Sequence, residues 1–138
     1  MSLKQKVVLT SVGVTAYFGA ATWLQRSFVD PRPKGKIVVQ LLPPFERHDF
    51  AAVAGQDVIR LRLEGLGDDP TKAGDLRSPI VVYENRNPLG PAHSTFADIK
   101  HFGGGRFCHW NNNLIVFSAS DNTDPNENGR YYWAVVPE

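Results

Sequence analysis

Cysteine is almost absent: the chain of 138 residues has one, Cys108. A single thiol closes no internal disulfide, so a folded domain here must hold itself together by its core. Excess charge is also missing, since 15 Lys and Arg stand against 14 Asp and Glu. That balance argues against a nucleic-acid partner, which would need a basic face. The sequence has neither a G-x-S-x-G nucleophile turn nor a G-x-x-x-x-G-K-[ST] phosphate loop. Internal repeats and low-complexity tracts are lacking too. These absences leave little room for an enzyme, and no catalytic residue is expected.

What stands out instead is residues 7–24, VVLTSVGVTAYFGAATWL, a run of 18 residues without a charge. Lys4 and Lys6 precede it and Arg26 follows. In a helix such a run rises about 27 Å, close to the thickness of a bilayer's hydrocarbon core. The same pattern fits a cleaved signal peptide, with Gly19, Ala20 and Ala21 as the small residues before a cut at Thr22. The retained anchor is the favoured reading, spanning 1–27. Ser11, Thr15 and Gly19 recur every fourth residue, a small-residue stripe on which another transmembrane helix packs closely. Trp23 lies where an interfacial aromatic belongs. A short basic tail before a first apolar segment stays in the cytoplasm. This orientation predicts a bacterial inner-membrane protein, single-pass, with its remaining chain in the periplasm.

Residues 28–36 contain Pro31, Pro33 and Gly35 and read as a semi-rigid linker. Beyond it, 37–138 holds enough chain for one small domain. The strands expected are 36–42, a short one within 45–50, 57–64 (DVIRLRLE, alternating with a period of two), 80–84, 106–110, 114–118 and 130–136. Residues 65–78 read as a long polar loop and 87–91 as a turn. Ser94 is expected to cap one short helix running to His101, with Phe96 and Ile99 inward and Gly103, Gly104 and Gly105 ending it. Asn111, Asn112 and Asn113 join two strands as a hairpin connection. The pattern predicts a mainly β domain of the sandwich or jelly-roll type.

Three clusters bear on ligands. Asp124, Asn126, Asn128 and Gly129 match the opening of a calcium loop, with Asp121 able to stand in for the absent chelating residue at position 135, which is valine. The alternative is a turn held by its own Asp and Asn side chains. His93, His101, Cys108 and His109 lack zinc spacing, and Cys108 reads as a small buried residue. Aromatic residues are dense from 102 to 133, and Trp110 beside Asn111 and Asn112, with one of Tyr131 or Tyr132, is placed to meet a ligand or a partner. Aromatic faces bordered by amide groups suit sugars, by stacking and by hydrogen bonds to hydroxyls.

The residues from Tyr83 to Tyr131 carry a resemblance. The matching pieces are Tyr83-Glu84-Asn85, 88–93 (PLGPAH), 103–107 (GGGRF), His109-Trp110, 117–125 (FSASDNTDP) and Asn128-Gly129-Arg130. They resemble a small domain of bacterial envelope-polysaccharide proteins, also found appended to membrane glycosyltransferases. The resemblance covers about a third of the chain and implies a setting in envelope glycan chemistry, with no catalytic residue to carry over. Here the domain follows its own apolar segment instead of an enzyme.

Two functions are therefore expected. One is a non-catalytic accessory subunit of an inner-membrane complex, of photosynthetic or respiratory type, with integral membrane subunits and lipid as partners. The other is a membrane-tethered carbohydrate-binding module. A hydrolase or transferase is a third, demanding a cleft with convergent titratable groups.

Overall fold

The computed structural model describes residues 32–138. The expected anchor, with Ser11, Thr15 and Gly19, lies outside the described residues. Among the described residues no helix is long and apolar enough to cross a membrane.

Eight strands form two antiparallel sheets. The first sheet has the order β1 (Ile37–Leu41), β8 (Tyr132–Val136), β4 (Val81–Glu84), β5 (Asn87–Pro88). The second has the order β2 (Glu46–His48), β3 (Ala51–Ala54), β7 (Ile115–Phe117), β6 (Phe107–His109). Two helices complete the described chain, α1 (Asp57–Leu63) and α2 (Phe96–Phe102).

One core lies between the sheets. Alternate side chains of β1 (Val39, Leu41) and β8 (Tyr132, Ala134, Val136) meet Ala52, Ala54, Ile115 and Phe117 from the other sheet. Phe117 is the centre of an aromatic cluster, 5.1 Å from the Phe45 ring edge-on and 4.8 Å from the Tyr132 ring. A second, smaller cluster forms on the outer face of the other sheet, where Ile99 of α2 covers Ala51, Cys108 and Val116. Burial explains both choices of residue: strands at the centre of a sheet are covered on two sides and lose their polar alternation.

Several sequence expectations need correction. The strand expected at 57–64 is instead the helix α1, Asp57–Leu63. The period-two pattern over so short a run also contains Ile59 and Leu63, four apart, and it is this pair that is buried while Leu61 is 79% exposed. The described residues accordingly hold two helices where one short helix was expected in the domain. Residues 51–54 form β3 because alanine, a weak strand former, is the size that fits between the aromatic core and α2. Asp49, at φ 50°, makes the tight link from β2 to β3. Asn87 and Pro88, expected in a turn, pair with Glu84 and Tyr83 as a two-residue strand.

Thr95, not Ser94, caps α2: its Oγ1 accepts from the Asp98 amide at 3.1 Å, while the Ser94 hydroxyl donates to the Pro91 carbonyl. Gly103 ends the helix at φ 57°, and a Cβ there would collide with the Asn122 side chain. Thr95→Ala is expected to cost about 1 kcal/mol of unfolding free energy, while Ser94→Ala changes little; urea denaturation of both variants checks the assignment.

Candidate functional site

The most chemically equipped cleft, about 260 Å³, lies between the 68–76 loop and the start of α2. Phe96 and Trp110 form its aromatic wall, with ring centroids 6.4 Å apart. Both rings pack on the small cluster beneath α2, which fixes them at its edge. Trp110 was singled out from the sequence, and it does line a cleft.

The polar wall is built on Asp68. Its amide donates to the His109 carbonyl and its carbonyl accepts from the Asn111 amide, both at 2.8 Å, so residue 68 runs alongside residue 110 as a short parallel bridge. Gly67 makes this approach possible, because any Cβ there would strike the Trp110 carbonyl. The Asp68 carboxylate is only 6% exposed as a residue and both oxygens are engaged. Oδ1 accepts from the Ser78 amide at 2.8 Å, and Oδ2 lies 2.5 Å from His93 Nδ1. An ionised carboxylate only accepts, so His93 Nδ1 donates to it, and Nε2 is the ring nitrogen without that partner on a ring that lines the cleft. His93 holds a left-handed backbone, φ 55°, an unfavourable conformation for a side chain with a Cβ.

Ser78 carries the network inward. Its Oγ lies 2.8 Å from His109 Nδ1. Burial lowers the His109 pKa, outweighing the opposing charge of Asp68, so this imidazole stays neutral. Cys108 also borders the cleft, but burial pushes its thiol up to about 12, which removes it as a nucleophile. On the outer lip, Asp69 is held below the usual carboxylate range first by the Thr71 hydroxyl, and Asp75 first by the Arg77 guanidinium.

The other sequence candidates lie elsewhere. Asn111 and Asn112 are exposed on the β6–β7 hairpin, and Asn112 Oδ1 accepts from the Leu114 amide. Tyr131 is 54% exposed and lines a second cleft of about 360 Å³ with Pro43, Asn126 and Arg130. Tyr132 is 1% exposed; its ring belongs to the core and its hydroxyl bonds Glu84, so it is withdrawn as a ligand contact.

The acidic loop is held by its own side chains. Arg130 grips both oxygens of Asp121, at 2.9 and 2.7 Å. Asp124 Oδ1 accepts from the Asn126 amide, Asn126 pairs with both backbone groups of Phe45, and Asn128 bonds the Arg130 amide and the Tyr132 hydroxyl. Among the described residues no three His, Cys, Asp or Glu side chains gather as a metal-holding group.

Sequence reasoning missed Asp68, which sat in a stretch read as loop, and weighed His93 as a metal ligand and as part of the resembling segment 88–93, not as the partner of a carboxylate. No spacing signal joins residues 68, 78, 93 and 109; the fold alone brings them together. Comparison of the chain with protein-family models, curated proteins and solved structures found no match.

Proposed function

We propose that this chain is a membrane-tethered carbohydrate-binding module of bacterial envelope polysaccharide machinery, acting on the periplasmic side. One observation carries the reading: the rings of Trp110 and Phe96 line one cleft together with Asp68 and the His93 imidazole that its carboxylate holds. A sugar ring presents an apolar C–H face and a rim of hydroxyls, and the two walls match those two needs. An imidazole oriented by a buried carboxylate offers a fixed hydrogen-bonding nitrogen to a hydroxyl. The two antiparallel sheets with one shared core agree with a sandwich of the jelly-roll type, and the pieces resembling envelope-polysaccharide domains include His93 and Trp110, which line the cleft.

The test is titration of the full chain, in detergent micelles, with oligosaccharides released from envelope polysaccharide. Binding is expected, and Trp110→Ala is expected to weaken it about tenfold, the loss of roughly 1.4 kcal/mol of stacking. A flat titration for the unaltered chain would remove the reading.

A second reading, an accessory subunit of a photosynthetic or respiratory inner-membrane complex, draws support from Tyr131 and Leu42. Both are at least half exposed, and they border the second cleft together. Aromatic and apolar side chains in that setting suit a protein partner. Purification from native membranes in mild detergent would then recover a fixed set of subunits.

A further inference from the structure

We infer that α1 is the face of the domain that rests on the bilayer, in contact with the headgroups of anionic lipid. The inference rests on the tethered reading above and adds which surface the tether brings down.

The helix lies along β1 and runs opposite to it. Its first turn is fixed by the Leu42 amide donating to Gln56 Oε1 at 3.0 Å, and its last by Arg62 Nη1 donating to the Val38 carbonyl at 3.1 Å. Leu61 and Arg62 therefore sit beside the start of β1, which is where the chain arrives from its N-terminal segment. Ile59 and Leu63 face the core, and the opposite side presents Val58, 49% exposed, and Leu61, 79% exposed, one turn apart. Apolar side chains on an exposed helix face need an occupant when they stand together.

Charge and chain length select lipid as that occupant. Arg60 and Arg62 flank Leu61 on the helix, and exposed Lys34 and Lys36 lie just before β1, against Asp57 and Glu64. The surface is apolar at its tip and basic at its margin, the pattern of an element that dips leucine among acyl chains while lysine and arginine stay with phosphate. Only nine residues, 25–33, separate the uncharged run from Lys34. Fully extended, they span at most about 32 Å. That reach lets the basic margin meet the surface the uncharged run is proposed to enter, and each basic side chain close to anionic lipid adds to the attraction.

The experiment uses the full chain carrying Leu61→Cys, labelled with a nitroxide and reconstituted into vesicles of phosphatidylglycerol and phosphatidylcholine. Cys108 is 1% exposed and stays unlabelled. Asn112→Cys, on the exposed hairpin, serves as the reference site. The Leu61 label is expected to be reached by oxygen and shielded from a water-soluble nickel chelate, with the opposite pattern at Asn112. Lys34→Gln with Lys36→Gln should weaken that contact, about fivefold for each charge removed.

If the chain floats with the vesicles and the Leu61 label is as open to the chelate as the Asn112 label, the lipid face is overturned and the tether stands. If the label is closed to both reagents, protein covers the helix and the inference is likewise overturned. If the chain fails to float at all, the tether falls and this inference with it.

Discussion

Replacing Glu84 with alanine is expected to destabilise the folded domain by about 3 kcal/mol, the cost typical of breaking a buried charge network. For a domain of this size that lowers the midpoint of thermal unfolding by about 15 °C. The carboxylate is buried at the end of β4, and four donors converge on it. The Ser120 hydroxyl and amide lie at 2.6 and 3.1 Å, the Tyr132 hydroxyl at 2.9 Å and the Arg130 guanidinium at 3.4 Å. Removing the anion strands those donors in a place water reaches poorly. The network also ties the acidic loop to the core, because Arg130 spans from Glu84 to Asp121.

The same carboxylate sets a pH dependence. Burial by itself would raise its pKa; the Ser120 hydrogen bonds, Tyr132 and Arg130 outweigh burial and hold it below the ordinary 4.5. A carboxyl with a lower pKa when folded contributes stability that is present above its unfolded value and lost as pH falls through the folded one. The stability gap between the unaltered chain and Glu84→Gln should therefore be full at neutral pH and shrink below about pH 4.5. Denaturation curves at several pH values measure it. A gap that stays constant down to pH 3 would mean that the charge contributes nothing.

Gly67→Ala is the second large effect, expected to cost about 3 kcal/mol and to abolish the sugar binding proposed above. The added methyl group meets the backbone of Trp110, which cannot retreat, since its amide and carbonyl are tied to Leu114 and Asn113. The 66–70 loop must withdraw instead. That breaks the bonds from Asp68 to His109 and Asn111, and Asp68 then loses Ser78 and His93. Urea denaturation gives the stability term, and the imidazole resonances of His93 report its release from the carboxylate. Unchanged His93 resonances would show that the bridge at residue 68 does not position the dyad.

The strands with strong local signatures were legible in the sequence. Residues 37–41, 81–84, 115–117 and 132–136 are rich in β-branched and aromatic side chains, and each is a strand. The helix α1 was not, because seven residues with a buried pair four apart satisfy both periods, and only packing along β1 decides between them. The cleft was half legible. Trp110 announced itself beside three asparagines, but Asp68 reads as one more acidic residue in a loop of polar character. Its importance arises from a parallel bridge to residue 110, across about forty positions of chain, which no local pattern encodes. Tyr131 and Tyr132 were indistinguishable by composition. The register of β8 against β1 and β4 turns the second of them inward, as it must for neighbours on a pleat.

The position of α1 beside β1 has one more outcome. In the first sheet β1 is an outermost strand and the helix shields it, while the opposite margin ends in a two-residue strand containing Pro88, which has no amide hydrogen to offer. A foreign strand seeking to extend that sheet meets a helix at one flank and a blocked stub at the other. Recruitment by backbone pairing is disfavoured at both edges of that sheet, so a partner that meets them there is recognised through side chains.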